Sequence, residues 1–266
     1  MFIKVFPYSG KVETFIVPVD GTYLLTAQGG GVAGGRYGTR VSGITRLVSG
    51  DELRIVVGQA GTNTAYASGG TFIAVRRAGH EHDTLGSGWT PLLVAGGGGT
   101  LRRHSSGRDG SHASLTESGL AGTCSDPGAG GTLGRGGGSG SGSMGGGGFY
   151  TDGGSNANSA FVNGGGAGFG GAGGFGGGGG GYGGGGGGGW YWYGAWLCGG
   201  GGGGSYNRLD YVDNLYAVGT SNGWVKIETL LVENPGSVVY PVAKFKPVLN
   251  LQPFGAGIKV KWNKVV

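Results

Sequence analysis

The glycine runs limit this chain's possible folds more than any other feature. Gly176–Gly181 is followed by Tyr182 and then Gly183–Gly189, and Gly199–Gly204 comes soon after. Shorter runs precede them at Gly96–Gly99, Gly136–Gly138 and Gly145–Gly148. Of 73 glycines, 51 lie between Gly96 and Gly204, so the excess belongs to one segment. Ordering a residue costs about 1–2 kcal/mol of backbone entropy, somewhat more for glycine, which brings no side chain to bury.

Such a segment can be a coil, as glycine-rich linkers are. It can also be a bundle of polyglycine II helices, left-handed and threefold, rising about 3.1 Å per residue without internal hydrogen bonds. The N–H and C=O groups of such a helix point sideways, so each buried one needs a neighbouring chain. Only glycine lets backbones approach from every side. Two observations favour the bundle. The longer runs have similar lengths of six or seven residues. Bulky residues also punctuate them: Phe149-Tyr150, Phe161, Phe169, Phe175, Tyr182, then Trp190-Tyr191-Trp192-Tyr193-Gly194-Ala195-Trp196-Leu197. A disordered linker has few aromatics. The Trp190–Trp196 cluster reads as a cap joining two runs. Its Trp190, Tyr191, Trp192, Tyr193 and Trp196 either pack as a lid or form a contact surface for a partner, since Tyr and Trp dominate binding hot spots.

The flanking sequence reads as strands. Val12, Thr14 and Ile16 alternate with Glu13, Phe15 and Val17; Pro18 stops the run, and Asp20-Gly21 signals a turn into a strand over Thr22–Gln28. Further strands are expected at Arg40–Val48, Glu52–Val57, Thr71–Arg77, Pro91–Ala95 and Gly223–Leu230, with Leu53, Ile55 and Val57 on one face. No segment shows a 3.6-residue apolar period over helix length. The expectation is an all-β jelly-roll sandwich formed by 1–95 plus 205–232, an inserted polyglycine II bundle over 96–204, and a short β-rich extension over 233–266.

That extension contains four of the eight prolines, which confine its apolar pieces to edge strands or extended coil. After Glu233 it has no acidic residue and carries Lys244, Lys246, Lys259, Lys261 and Lys264, which account for the whole net charge of +5. A neutral body with a basic tail argues against a general nucleic-acid binder. The tail either docks on an acidic partner or is a solvated edge. Cys124 and Cys198 are either idle thiols or one disulfide, which would contribute roughly 4 kcal/mol in the chain-entropy picture.

The chemistry-bearing residues do not assemble into an expected active site. In His80-Glu81-His82-Asp83 a strand would place the two imidazoles on one face and Glu81 on the other, with no third ligand nearby. His104, Ser105, Ser106, Asp109, Ser111 and His112 hold the ingredients of a hydrolase triad, but in a short loop without a rigid frame. No Gly-Lys-Ser/Thr follows the glycines, so they are not phosphate loops. No catalytic residue, metal or cofactor is expected.

Four motifs occur in a specific order: Tyr23-Leu24-Leu25-Thr26-Ala27-Gln28-Gly29-Gly30-Gly31, Leu53-Arg54-Ile55-Val56-Val57-Gly58-Gln59-Ala60-Gly61, Pro91-Leu92-Leu93-Val94-Ala95-Gly96-Gly97-Gly98-Gly99 and Gly223-Trp224-Val225-Lys226-Ile227. Over about residues 5–232 this resembles the glycine-rich domain in the ectodomains of anaplastic lymphoma kinase and leukocyte tyrosine kinase, which has bacterial, protist and viral counterparts. The resemblance implies a sandwich like that of tumour necrosis factor with polyglycine helices inserted, and a role in ligand recognition. A looser resemblance links the runs to distal adhesins of T-even-like phages, although their N-terminal fibre-binding region has no counterpart here. The start, Met1–Gly10, reads as a strand and a turn rather than a secretory leader, and no apolar stretch is long enough to span a bilayer. The expectation is a non-enzymatic virion protein at the virion surface, of a phage tail fibre or appendage. It would work within an oligomeric assembly, anchored by the tail lysines on other virion proteins and facing a host-surface glycan or protein. An extracellular ligand-binding or adhesion module and a purely structural coat or matrix component are the alternatives.

Overall fold

A computed structural model describes residues 2–32, 36–61, 67–78, 88–100, 110–123, 126–140, 144–154, 159–163 and 199–232. The described residues fall within one compact unit, Met1–Glu233. They are all-β. Ten strands run β1 Ile3–Pro7, β2 Val12–Ile16, β3 Gly21–Gln28, β4 Gly38–Leu47, β5 Glu52–Val56, β6 Thr71–Arg76, β7 Thr90–Ala95, β8 Tyr206–Asn207, β9 Asp210–Gly219 and β10 Trp224–Val232. They form two five-stranded sheets, β1-β10-β3-β4-β9 and β2-β5-β6-β7-β8, with antiparallel neighbours throughout.

The sheets pack face to face because their inner positions are apolar at a period of two. Tyr23, Leu25 and Ile227 of the first sheet meet Leu53, Ile55 and Ile73 of the second, all fully buried. Each such side chain stabilises the fold by roughly 1.5–3 kcal/mol relative to exposure. The alternation expected at Leu53, Ile55 and Val57 is therefore the core face of β5. The late strand expected near Trp224 is β10, inserted between β1 and β3.

The Asp20-Gly21 turn signal does not make a hairpin. β2 pairs with β5, while β3 lies in the other sheet, so residues 17–20 carry the chain across the sandwich. The buried Asp51 fixes this end. Its carboxylate accepts from Val48 N at 3.1 Å, Ala78 N at 3.0 Å and the Arg77 guanidinium at 2.6 Å. Its backbone carbonyl accepts from Val17 N at 2.9 Å.

The strand over Asp210–Gly219 was not expected. Its Asp210, Asp213 and Asn214 are poor strand formers, and its pairing with β4 shifts register twice. It is an edge strand held mainly by β4. At the opposite edge, β1 is protected rather than sticky. Lys4 shares a face with Phe6, its ammonium 5.6 Å from that ring, and Pro7 ends the strand. A charge and a proline on an edge discourage pairing with another chain.

Candidate functional site

The glycines gather at one end of the sandwich. Gly29 follows β3, Gly58 follows β5, Gly69-Gly70 precedes β6, Gly96 follows β7 and Gly223 precedes β10. Beyond the strand ends the backbones stay in lateral contact but change partners. Consecutive N–H groups of Gly29, Gly30 and Gly31 donate to Thr39, Gly69 and Ser221. Consecutive carbonyls of Gly96, Gly97 and Gly98 accept from Thr39, Gly203 and Ser68. One chain thus feeds three neighbours in three directions.

The Gly199–Gly204 run shows the repeat. Gly199 and Gly202 accept from Thr123 and Leu120, while Gly200 and Gly203 accept from Ser111 and Ser114. Each neighbour is met at an interval of three residues on both sides. A β-strand would return to a given neighbour every second residue. A Cβ on Gly99, Gly201 or Gly202 would overlap a backbone carbonyl of an adjoining segment, so the close approach requires glycine. A second cluster repeats the plan: Gly137 donates to Gly146, Gly145 to Gly154, and Gly154 back to Gly137, closing a ring of three segments.

Aromatic residues attach this second cluster to the outer face of the β5-β6-β7 sheet. Phe149 and Phe161 are buried and stacked at 4.8 Å, and Phe161 stacks on Phe72 of β6 at 5.4 Å. The Arg54 guanidinium lies between Phe161, at 5.1 Å, and Trp89, at 5.6 Å, and Arg76 covers Trp89 at 5.0 Å. Two of the bulky residues that punctuate the glycines therefore act as anchors.

His112 anchors the first cluster. Its Nδ1 accepts from Tyr37 N at 3.0 Å, so the imidazole is neutral with its proton on Nε2. Its ring stacks on Tyr37 at 4.9 Å and meets the edge of Tyr216 at 5.6 Å. Burial first, and the Arg36 charge second, lower its pKa from the usual 6.5. The unfolded chain takes up a proton near pH 6.5 that the folded imidazole resists. Stability is therefore expected to be flat above about pH 6.5 and to fall as the pH drops through it. His112→Gln keeps an acceptor for Tyr37 and removes the titration. In urea unfolding over a pH series, the wild type should lose stability relative to this variant below about pH 6.5; parallel curves would contradict it.

Val32 N donates to Arg36 O, Gly110 N to Thr100 O and Thr123 N to Gly199 O. Several residues singled out in the sequence lie outside the described residues: Trp190, Tyr191, Trp192, Tyr193 and Trp196, the lysines Lys244, Lys246, Lys259, Lys261 and Lys264, both Cys124 and Cys198, and His80–Asp83. Of the triad ingredients only Ser111 and His112 are described; Ser111 sits in the hydrogen-bonded block and His112 between two tyrosines. Among the described residues no three His, Cys, Asp or Glu side chains are grouped to hold a metal ion. No described helix is long and apolar enough to cross a membrane. No specific sequence signal marks Asp51 or places Gly29–Gly31 in the glycine block.

No family model and no curated protein matches this chain.

Proposed function

We propose that this chain is a non-enzymatic display protein whose jelly-roll base carries a rigid polyglycine II block with recognition loops at its far end. The observation that carries the reading is the three-residue interval of the backbone hydrogen bonds around Gly199–Gly203. A threefold backbone returns to each neighbour every third residue, and a laterally bonded block is stiff where a glycine linker is not. The geometry suits projection. Ile3 and the end of β10, paired through Glu228 and Gly21, lie at one end of the sandwich and the block at the other. This is the arrangement wanted in a phage tail fibre or virion surface appendage, anchored through the tail lysines and facing a host-surface glycan or protein. The resemblance of its motif order to that of receptor-kinase ectodomains supports the neighbouring reading, an extracellular ligand-binding module.

The aromatic cluster Trp190–Trp196 is the proposed contact surface. A Trp192→Ala/Trp196→Ala double variant of the full chain is expected to lose at least about tenfold in affinity for a glycan array or for intact bacterial cells, with circular dichroism unchanged. Unchanged binding would make the chain a structural component, and absence of any binding by the wild type would remove the recognition role.

The two cysteines belong to the same proposal. Leu120 pairs with Gly202 and Thr123 with Gly199 in antiparallel register, and a continuation of that register by one residue would join positions 124 and 198, which lie outside the described residues. We expect a Cys124–Cys198 disulfide that closes the loop with about 4 kcal/mol of stabilisation. Peptide mapping without reduction should yield the crosslinked pair; free alkylation of both thiols in the folded protein would contradict it. Such a bond persists outside the reducing cytosol, as a displayed protein requires.

A further inference from the structure

At the end opposite the glycine block the sandwich does not close over an apolar core. Thr45 of β4 lies opposite Tyr23, and Thr90 of β7 opposite Val75, so both threonines occupy inward positions. The β7 register shifts here and leaves Leu92 as an extra residue. Gly43, having no side chain, admits Leu209 between the sheets, where a Cβ would approach that of Leu209 to 2.5 Å. The result is a cavity of about 300 Å³ lined by Thr45, Val75, Thr90, Leu92 and Leu209, with Arg77 and Arg208 at its rim.

The walls are held in place before any ligand arrives. Arg208 N donates to Leu92 O at 3.0 Å, Leu209 N to the Asn207 side chain at 3.0 Å, and Asn207 Nδ2 to Ser42 O at 3.0 Å. Arg77 uses only one terminal nitrogen on Asp51 and the Arg46 carbonyl, which leaves its other donors available. Among the described residues no carboxylate pairs with Arg208. Among the described residues no acidic side chain lines the cavity.

We propose that this cavity binds a small hydroxylated carboxylate the size of one acidic sugar. The Arg208 guanidinium supplies the charge that selects an anion, the remaining Arg77 donors add hydrogen bonds although its charge is answered by Asp51, and Arg in particular suits a carboxylate. The volume exceeds what a bare inorganic anion fills, and the Val75–Leu92–Leu209 wall calls for a carbon skeleton. The threonine hydroxyls match a ligand that carries hydroxyls of its own. The site lies at the end of the sandwich away from the glycine block and stands independently of the recognition role proposed there.

Amide shifts of the full-length, isotope-labelled protein test this, with D-glucuronate, D-glucose and sulfate titrated separately. D-Glucuronate should give saturable shifts at Thr45, Thr90, Arg208 and Leu209, and D-glucose should not. The exposed Arg208→Glu should weaken glucuronate at least about tenfold with the fold intact. Thr90→Val serves as a second variant and should weaken it as well. Binding of glucose as tight as glucuronate, sulfate binding as tight as glucuronate, indifference to Arg208→Glu, or no saturable glucuronate shifts would each overturn the proposal.

Discussion

Gly202→Ala is expected to cost about 3 kcal/mol and to detach the Gly199–Gly204 run from both neighbours. A Cβ there would overlap the His112 carbonyl and crowd Ala113 N, and both are backbone atoms that cannot rotate away. Overpacking of a dense interior typically costs about 1–3 kcal/mol, and a backbone clash lies at the upper end. The added strain falls where Leu120 donates to Gly202 O and Ser114 to Gly203 O. Losing those bonds strands buried N–H groups at about 1–3 kcal/mol each. Gly138→Ala is the matched control. Its Cβ would meet nothing closer than Ala129 N at 3.3 Å, a contact that a small shift relieves. Its effect should stay within about 1 kcal/mol, partly offset by the stiffer unfolded chain. Chemical unfolding of both variants checks the contrast. Equal, small effects would mean that the runs are not laterally packed.

Asp51→Ala is expected to cost about 3 kcal/mol or more, since each of the donors it leaves unpaired costs about 1–3 kcal/mol. The carboxylate is fully buried and accepts from two backbone N–H groups and from the Arg77 guanidinium. Removing it strands all three donors at once and loosens the junction where residues 17–20 cross between sheets. Asp51→Asn should cost less, about 1–3 kcal/mol, because the amide keeps one acceptor oxygen and lacks the charge that Arg77 answers. Urea unfolding of the two variants gives the ordering. An alanine variant as stable as the wild type would show that this carboxylate does not organise the end of the sandwich.

The strands that carry the core were legible because burial on one face imposes a period of two. Leu53, Ile55 and Val57, and the Tyr23–Gln28 run, needed no further information. β9 was not legible. An edge strand with two register shifts has no continuous buried face, and its Asp210 is exposed while Asp213 and Asn214 are only half-buried, so polar side chains are tolerated there. The crossing at Asp20-Gly21 was misleading for a different reason. A turn signal fixes the local chain direction but not which sheet receives the next strand, and distant Asp51 supplies that choice. For the glycine block, the runs were visible and their partners were not. Gly29–Gly31 joins the block although it is remote in sequence, because lateral backbone bonding has no side-chain code to read. Phe149 and Phe161 stood out as punctuation, whereas their seat on Phe72 depends on a sheet face that only pairing creates.

Scalar coupling across hydrogen bonds tests the threefold backbone most directly, since it identifies each acceptor carbonyl by name. Ser111 and Ser114 should couple to the carbonyl carbons of Gly200 and Gly203, and Leu120 and Thr123 to those of Gly202 and Gly199, with slow amide exchange at all four donors. Couplings that return to one neighbour at every second residue, or amides exchanging at free-peptide rates, would contradict it.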